Sequence, residues 1–334
     1  MTESSAVVAG MLLTEPLELI DDPAKLSKTG HWAVLASFEN SFRAVRFATA
    51  KSIAELPARD FVGISNWESS LDQASYQAGV LAVQEQIRAG WVYQVNLCRI
   101  LRAQVSSRPD AVGLWQRIMK QHPTRFASYI DLLPGELDEA GIWFVSASPE
   151  LFLLREGNQI SSAPIKGTAI AADQMLEKDY AENIMITDMV RNDLGQIAIT
   201  GSVKVAELLK LEHIPGLVQL VSTVTAQLRP EITWSEIFQA TFPPASVTGA
   251  PKLAALSVIS ELEPVDRGGY CGAVGYINGD RAELAVGIRS FEYLPGELRF
   301  GTGAGITLGS DPLGEWQETQ LKAERLIKLA SAND

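Results

Sequence analysis

Apolar residues along this chain recur in two rhythms, and the way the rhythms alternate predicts the architecture. Runs such as Trp32-Ala-Val-Leu-Ala, Phe42-Arg-Ala-Val-Arg-Phe, Arg125-Phe-Ala-Ser-Tyr-Ile-Asp and Trp143-Phe-Val-Ser-Ala read as strands. Ala78, Leu81, Ala82, Val83 and Ile87 instead predict a helix from Asp72 to about Gly90, a residue suited to stopping it. The strand expected next, from Trp91 to Leu97, puts Tyr93, Val95 and Leu97 on one face and the amides of Gln94 and Asn96 on the other. Further helices are expected over 111–121 and 174–195, the second with Leu176, Tyr180 and Ile184 as its apolar stripe. Strands return over 202–205, 218–226, 272–277, 282–291 and 298–300, with Asn278-Gly279-Asp280 as a short turn. A last helix opens at Ser310-Asp311-Pro312, a capping residue followed by proline. Strands joined by short turns and interleaved with long helices predict an α+β fold with mostly antiparallel sheet. Residues 1–70 read as a short flanking β region packed on the core, and 71–330 as the main domain.

Charge and composition narrow the partners. With 40 acidic against 28 basic residues the formal net charge is −12, which would repel nucleic acid and an anionic membrane surface. An anionic substrate must therefore meet a local cluster of cations. Hydrophobic residues make up 46% of the chain, ample for a large core. The first residues carry no basic segment and no apolar run reaches membrane-spanning length, so a cytoplasmic location is expected. Cys98 and Cys271 lack metal-ligand spacing and read as free thiols.

Several motifs are excluded by their context. Gly301-Thr-Gly303-Ala-Gly305 lacks the βαβ setting and the later acidic residue of a dinucleotide site, although its glycines would let backbone N–H groups approach an anion. Thr248-Gly-Ala-Pro251-Lys252 is not a phosphate-binding P-loop. His31, His122 and His213 share no spacing that supports a zinc site or a Ser-His triad.

Four features carry candidate chemistry. Ser148-Pro149-Glu150 interrupts an apolar run and drops a carboxylate at a strand bend, where burial would help it keep a proton. Lys166, between Ile165 and Gly167, has no charged neighbours in sequence and is a candidate nucleophile. Asp179 and Glu182 form an acidic pair at i, i+3, and Glu315 and Glu318 form another with Lys322 on the same face. Carboxylates in a first helical turn are favoured by the helix dipole alone, yet two such pairs facing each other would hold a hard divalent cation.

In this order, Tyr93-Gln-Val-Asn-Leu, Ser148-Pro-Glu150, Pro164-Ile-Lys166-Gly-Thr168, Ala181-Glu182-Asn183 with Arg191-Asn-Asp, Thr248-Gly-Ala-Pro-Lys252, Tyr270-Cys-Gly-Ala-Val-Gly-Tyr, Ile288-Arg289-Ser and Glu315-Trp-Gln-Glu318-Thr form one series. That series resembles the chorismate-utilising enzymes, most closely the aminodeoxychorismate synthase component I group, over about residues 70–330. The resemblance implies an α/β/β/α sandwich of two sheet-bearing subdomains with a chorismate site between them. It also implies conversion of chorismate and ammonia to 4-amino-4-deoxychorismate, for p-aminobenzoate and folate synthesis, with ammonia delivered from glutamine by a separate amidotransferase subunit.

Carried over by position, the resemblance makes Glu182 and Glu318 ligands of Mg²⁺, supported by Asp179 and Glu315. Glu150 becomes the general acid for the C4 hydroxyl, and Lys166 the nucleophile at C2. Substrate contacts fall to Thr168, Tyr270, Arg289, backbone amides near Gly303, and Lys322. Gln94 stands where isochorismate and salicylate synthases carry a lysine base, which favours ammonia over water as nucleophile. Gln219 stands where the family usually has histidine. Anthranilate synthase component I is the alternative activity, and a family member without catalysis, acting as a binding subunit, is another.

Overall fold

A computed structural model of the 334-residue protein describes residues 3–26, 29–53, 56–169, 171–214 and 217–331. Six α-helices occur among them: α1 (Gln73–Arg88), α2 (Ala111–Gln121), α3 (Glu177–Gly195), α4 (Trp234–Thr241), α5 (Lys252–Leu262) and α6 (Pro312–Ala330). Eighteen strands form one hydrogen-bonded network, and every strand pairing among the described residues is antiparallel, as the short turns predict. The turn at Gly279-Asp280 joins Ala273–Asn278 to Arg281–Val286, with Gly279 at φ +58°, as a two-residue hairpin loop requires. No helix among the described residues is long and apolar enough to cross a membrane.

Side-chain alternation along the strands builds the layers. In Ile142–Ser148, Ile142 and Phe144 enter a buried cluster made of strand residues alone, while Trp143, Val145 and Ala147 join a cluster with Trp115 of α2 and Leu326 of α6. His31–Ala36 divides the same way. Ala33 and Leu35 face the strand-only cluster, whereas Trp32, Val34 and Ala36 meet Val80 of α1, Ile186 of α3, Ile237 of α4 and Val258 of α5. Period-two alternation thus puts strand against strand in the middle and helices outside, which is the α/β/β/α order. Residues before 71 contribute directly: Ser5–Val8 pairs with Phe126–Leu132, and His31–Ala36 with Ala273–Asn278.

Helix ends follow their caps. Asp72, Asp110 and Asp311 each accept a backbone N–H in the first turn of α1, α2 and α6, from Ser75, Gly113 and Gly314.

Some expectations need correction. In α1 the buried residues are Tyr76, Val80, Val83 and Gln84, and Leu81 is half exposed. The strand anticipated from Trp91 begins at Gln94, leaving Trp91 and Tyr93 exposed. The run 282–291 is two strands, Arg281–Val286 and Ser290–Leu294, parted at Arg289, whose φ is +52°. The glycine-rich run lies inside the strand Glu297–Ile306, paired along Gln94–Gln104.

In α3, Leu176 and Ile184 face solvent, while Asn183, Thr187 and Asp193 are buried with Ile186, Val190 and Leu194. The inner face is partly polar because it meets polar groups across it. Asn183 Nδ2 donates to Leu220 O at 3.0 Å, and Ser222 Oγ donates to Asn183 Oδ1. A buried amide with its partners in place is tolerated, so polarity alone did not mark the exposed face.

A buried ion pair ties α5 to the central strands. Arg267 donates to Glu263 Oε1 and Oε2 at 2.6 and 2.8 Å, to Asn96 O at 2.6 Å and to Val247 O at 2.9 Å. Removing the guanidinium would leave Glu263 buried without its partner. Arg267→Ala should therefore cost about 3–5 kcal/mol in urea unfolding, and a loss under about 1 kcal/mol would show that the pair is dispensable.

Candidate active site

The site begins at the bend between Ile142–Ser148 and the strand Leu151–Glu156. Glu150 N donates to Ser148 Oγ at 3.2 Å, Ser148 N donates to Ser146 Oγ at 3.2 Å, and Glu150 O accepts from Val286 N at 3.1 Å. These bonds hold the bend that turns the Glu150 side chain inward, where the residue is 4% exposed. Burial pushes its carboxyl from an ordinary 4.5 up to about 7, against the opposing pull of the Ser246 hydroxyl, the Lys166 ammonium, the Ile165 backbone N–H and Arg289. Near neutral pH Glu150 can therefore both hold and release a proton.

Lys166 lies in the strand Ile165–Ala169, whose register against Leu217–Gln227 shifts between Ile165 and Thr168. Gly167 takes φ +79° inside this irregularity, and a Cβ there would meet Asp179 Cβ at 2.7 Å. Glycine thus lets the first turn of α3 close onto the strand. The Lys166 ammonium comes 4.0 Å from Glu182 Oε2 and lies within electrostatic reach of Glu150 and Glu318. One amine is thereby placed between the bend and the two acidic helices.

The acidic pairs do converge. Glu182 on α3 and Glu318 on α6 interact electrostatically, and Gln94 Nε2 donates to Glu182 Oε2 at 3.1 Å. Their surroundings separate them. Burial raises the Glu182 carboxyl, with Asp179 and Glu318 adding to the rise against Lys166 and Lys178. Burial pushes Glu318 up as well, but the charge and hydrogen bond of Lys322, with Lys178 and Lys166 behind it, outweigh burial and hold it below the usual range. Lys322 Nζ is 2.7 Å from Glu318 Oε1 and donates to Gly303 O at 3.0 Å.

Among the described residues, no three His, Cys, Asp or Glu side chains close around a common point as metal ligands. Mg²⁺ does not need three: it takes one or two carboxylates and completes its shell with water and substrate oxygens. Glu182 and Glu318 fit that donor set. Beside them the Gln94 Oε1 is buried and has no hydrogen-bond partner, an unsatisfied acceptor of the kind a ligand shell would satisfy. Asp179 and Glu315 are otherwise engaged. Asp179 accepts from Leu176 N at 3.0 Å at the start of α3, and Glu315 Oε1 accepts from Ser310 Oγ at 2.7 Å.

Close backbone approach shapes the opposite wall. A Cβ on Gly301 would fall 2.0 Å from the Tyr270 ring, one on Gly303 2.5 Å from Cys98 Sγ, and one on Gly305 2.2 Å from Gln94 Nε2. The three glycines therefore make room for side chains of the site. Tyr270 is buried, its hydroxyl 3.8 Å from Cys98 Sγ. Cys98 and Cys271 are both free and buried, within hydrogen-bonding reach of each other. Arg289 interacts with Glu150 and stands 3.3 Å from His122 Nε2 through Nη1. Thr168 is exposed, opposite the buried Gln219. Lys252 serves structure, with Nζ 2.7 Å from Asp193 Oδ2 and 3.1 Å from Thr241 O.

A profile of the chorismate binding enzyme family matches residues 22–328. This chain belongs to the chorismate-binding enzyme family. It is 36% identical over 285 residues to aminodeoxychorismate synthase component 1 of Escherichia coli (strain K12), covering 81% of this chain and 61% of that protein. It is 35% identical over 276 residues to anthranilate synthase component 1 of Saccharolobus solfataricus, covering 79% of this chain and 63% of that one. The chain thus spans about three fifths of the length of these curated relatives. The crystal structure of anthranilate synthase component I from Streptococcus pneumoniae superposes with a TM-score of 0.80 at 20% identity, over 98% of this chain and 93% of that chain. The menaquinone-specific isochorismate synthase of Escherichia coli superposes at 0.77 and 18% identity, over 98% and 88%. These two structures share the fold.

Three residues around this chorismate-family site were not singled out from sequence. Ser246 sits in a short 3-10 helix far along the chain from the Glu150 it bonds, and nothing local marks it. His122, between the cations Arg289 and Arg325, is pushed down to about 4, chiefly by burial and then by those charges. Lys178 lies 3.8 Å from Glu315 Oε1. Its position four residues before Glu182 was the signal available for it.

The buried carboxyl makes stability depend on pH. Because the Glu150 value is raised on folding, its favourable contribution is complete below the unfolded value and is lost as pH rises through about 7. Glu150→Gln should match the wild type near pH 4.5 and exceed its unfolding stability at pH 8 by up to about 3 kcal/mol. Equal stability at both pH values would mean that Glu150 titrates normally.

Proposed function

We propose that this chain is the chorismate-aminating component of an aminodeoxychorismate synthase. The observation that carries the reading is the placement of the Lys166 amine between the proton-holding Glu150 and the acidic pair Glu182 and Glu318. The proton on Glu150 goes to the C4 hydroxyl of chorismate, which leaves as water. Lys166, its ammonium having released one proton to solvent, attacks C2 as the neutral amine while that bond breaks, and the ring double bonds shift. Ammonia then attacks C4, expels the lysine and restores the ring unsaturation, and its surplus proton returns to the Glu150 carboxylate. The sum is chorismate plus ammonia giving aminodeoxychorismate plus water.

Glu182 and Glu318 would hold Mg²⁺, with Asp179 and Glu315 behind them, and the bound ion supplies positive charge for the ring carboxylate of the substrate. In this reading Arg289 would offer a planar fork for the second carboxylate, with Tyr270, the Gly303 backbone, Lys322 and Thr168 as further substrate contacts. The free Gln94 carbonyl offers an acceptor for the N–H of ammonia and no base for water. Both cysteines are buried, which supports delivery of ammonia by a separate glutamine amidotransferase. Such a reaction feeds p-aminobenzoate and folate synthesis in the cytoplasm.

A second reading, anthranilate synthase component I, is supported by relatives of almost equal identity. Incubation with chorismate, ammonium and Mg²⁺ separates the two. An aminated product that keeps its enolpyruvyl group is expected, whereas anthranilate with pyruvate would establish amination at C2. Lys166→Ala should lose the C4-aminated product, and a variant making it at the wild-type rate would remove the covalent step.

Glu150→Gln should lower turnover by roughly 10²–10⁴-fold while binding chorismate normally. Turnover within a factor of a few of wild type would exclude Glu150 as the acid.

A further inference from the structure

Lys178 is a cation set among carboxylates. From the first turn of α3 its ammonium lies 3.8 Å from Glu315 Oε1 and interacts with Glu318, Glu182 and Asp179 as well. The other two lysines of the cluster have definite posts. Lys322 bonds both Glu318 and the Gly303 carbonyl, and Lys166 stands between Glu150 and Glu182. Lys178, like Lys166 at 4.0 Å from Glu182, lacks the short ion pair that Lys322 makes with Glu318. Its 3.8 Å separation from Glu315 is longer than a hydrogen bond, and its side chain is 46% exposed on a flexible four-carbon stem. It also sits at a helix N-terminus, where the backbone dipole disfavours a positive charge. The carboxylates must therefore supply what keeps it there. Two carboxylates of this cluster, with the partnerless and 1% exposed Gln94 Oε1 beside Glu182, are also the groups that fit a divalent cation.

We propose that Lys178 is an internal counter-ion that competes with Mg²⁺ for Glu182, Glu315 and Glu318, so that the metal binds by displacing this ammonium into solvent. The inference rests on the reading of Glu182 and Glu318 as metal ligands. Its physical content is a subtraction. Four partly buried carboxylates gathered together repel one another, and Lys178 relieves part of that repulsion without the metal. Whatever it contributes is lost when the metal enters, and the loss weakens the apparent metal affinity. The lysine thereby occupies the cluster at low Mg²⁺ and sets the concentration at which the metal binds.

The test compares wild type, Lys178→Gln and Lys178→Arg by calorimetric titration with MgCl₂ alone at low ionic strength, and by thermal unfolding in EDTA. Lys178→Gln should bind Mg²⁺ about tenfold more tightly and unfold at a lower temperature in EDTA. Lys178→Arg, whose planar fork grips two carboxylate oxygens, should bind Mg²⁺ more weakly than wild type, a check that stands even if the glutamine variant fails to fold. Equal affinity in wild type and the folded variants would reject Lys178 as competitor while leaving the metal site intact. No Mg²⁺ binding by the wild type would overturn both.

Discussion

The long antiparallel pairing of Gln94–Gln104 with Glu297–Ile306 is the constraint on which the site depends. Its register runs from Val95 opposite Ile306 to Gln104 opposite Glu297 without a shift. A slip of one residue would turn every side chain to the other face. Gln94 would then leave Glu182, and Gly301, Gly303 and Gly305 would no longer lie under Tyr270, Cys98 and Gln94. Helix α6 follows the second strand and is tied back to the first. Buried Arg99 donates to Thr319 Oγ1 at 3.0 Å and Gln320 Oε1 at 2.7 Å, and its guanidinium stacks 4.2 Å from the Trp316 ring. The same pairing that builds the sheet thus fixes the helix that carries Glu315, Glu318 and Lys322.

Within this frame the site gathers charges of both signs at partly buried positions, and of Lys166, Lys178 and Lys322 the last alone closes a short ion pair. Desolvation is the leading influence on Glu150, Glu182 and Glu315, and it raises all three carboxyls. Glu318 differs because a lysine one turn away on its own helix bonds it directly. Lys166 touches Glu182 only at 4.0 Å, so its amine is not committed to a short salt bridge. A charge cluster of this kind contributes little to stability, because the cost of desolvating each ion rivals the attraction gained. What it provides is a set of charged groups not all spent on one another.

Structural ion pairs elsewhere show the contrast. Lys252 with Asp193, and Arg267 with Glu263, are close and backed by carbonyl acceptors, so each cation is fully occupied. Lys322 is held in the same way by Glu318 and the Gly303 carbonyl, whereas Lys166 and Lys178 have no ion pair that short.

Much of this was legible in the chain itself. Alternation marked the strands, because a strand residue's neighbour must point to the other face. With the helices between them it gave an α+β fold, while the α/β/β/α layering was what the family resemblance implied. Aspartates at 72 and 311 marked helix starts, since a cap is satisfied by bonds within a few residues. The spacing of Asp179 with Glu182 and of Glu315 with Glu318 placed each pair on one helical face. Only tertiary structure decided the rest. The exposed stripe of α3 could not be told from the buried one, because Asn183 owes its burial to Leu220 and Ser222 on another element. The break at Arg289 depends on a positive φ in a residue that sequence gives no reason to expect there. The field at Glu150 is assembled from Ser246, Lys166, Ile165 and Arg289, which belong to separate elements. Local patterns are governed by backbone geometry over a few residues, whereas desolvation and Coulomb interaction depend on distance through space, and the chain sets that distance only by folding.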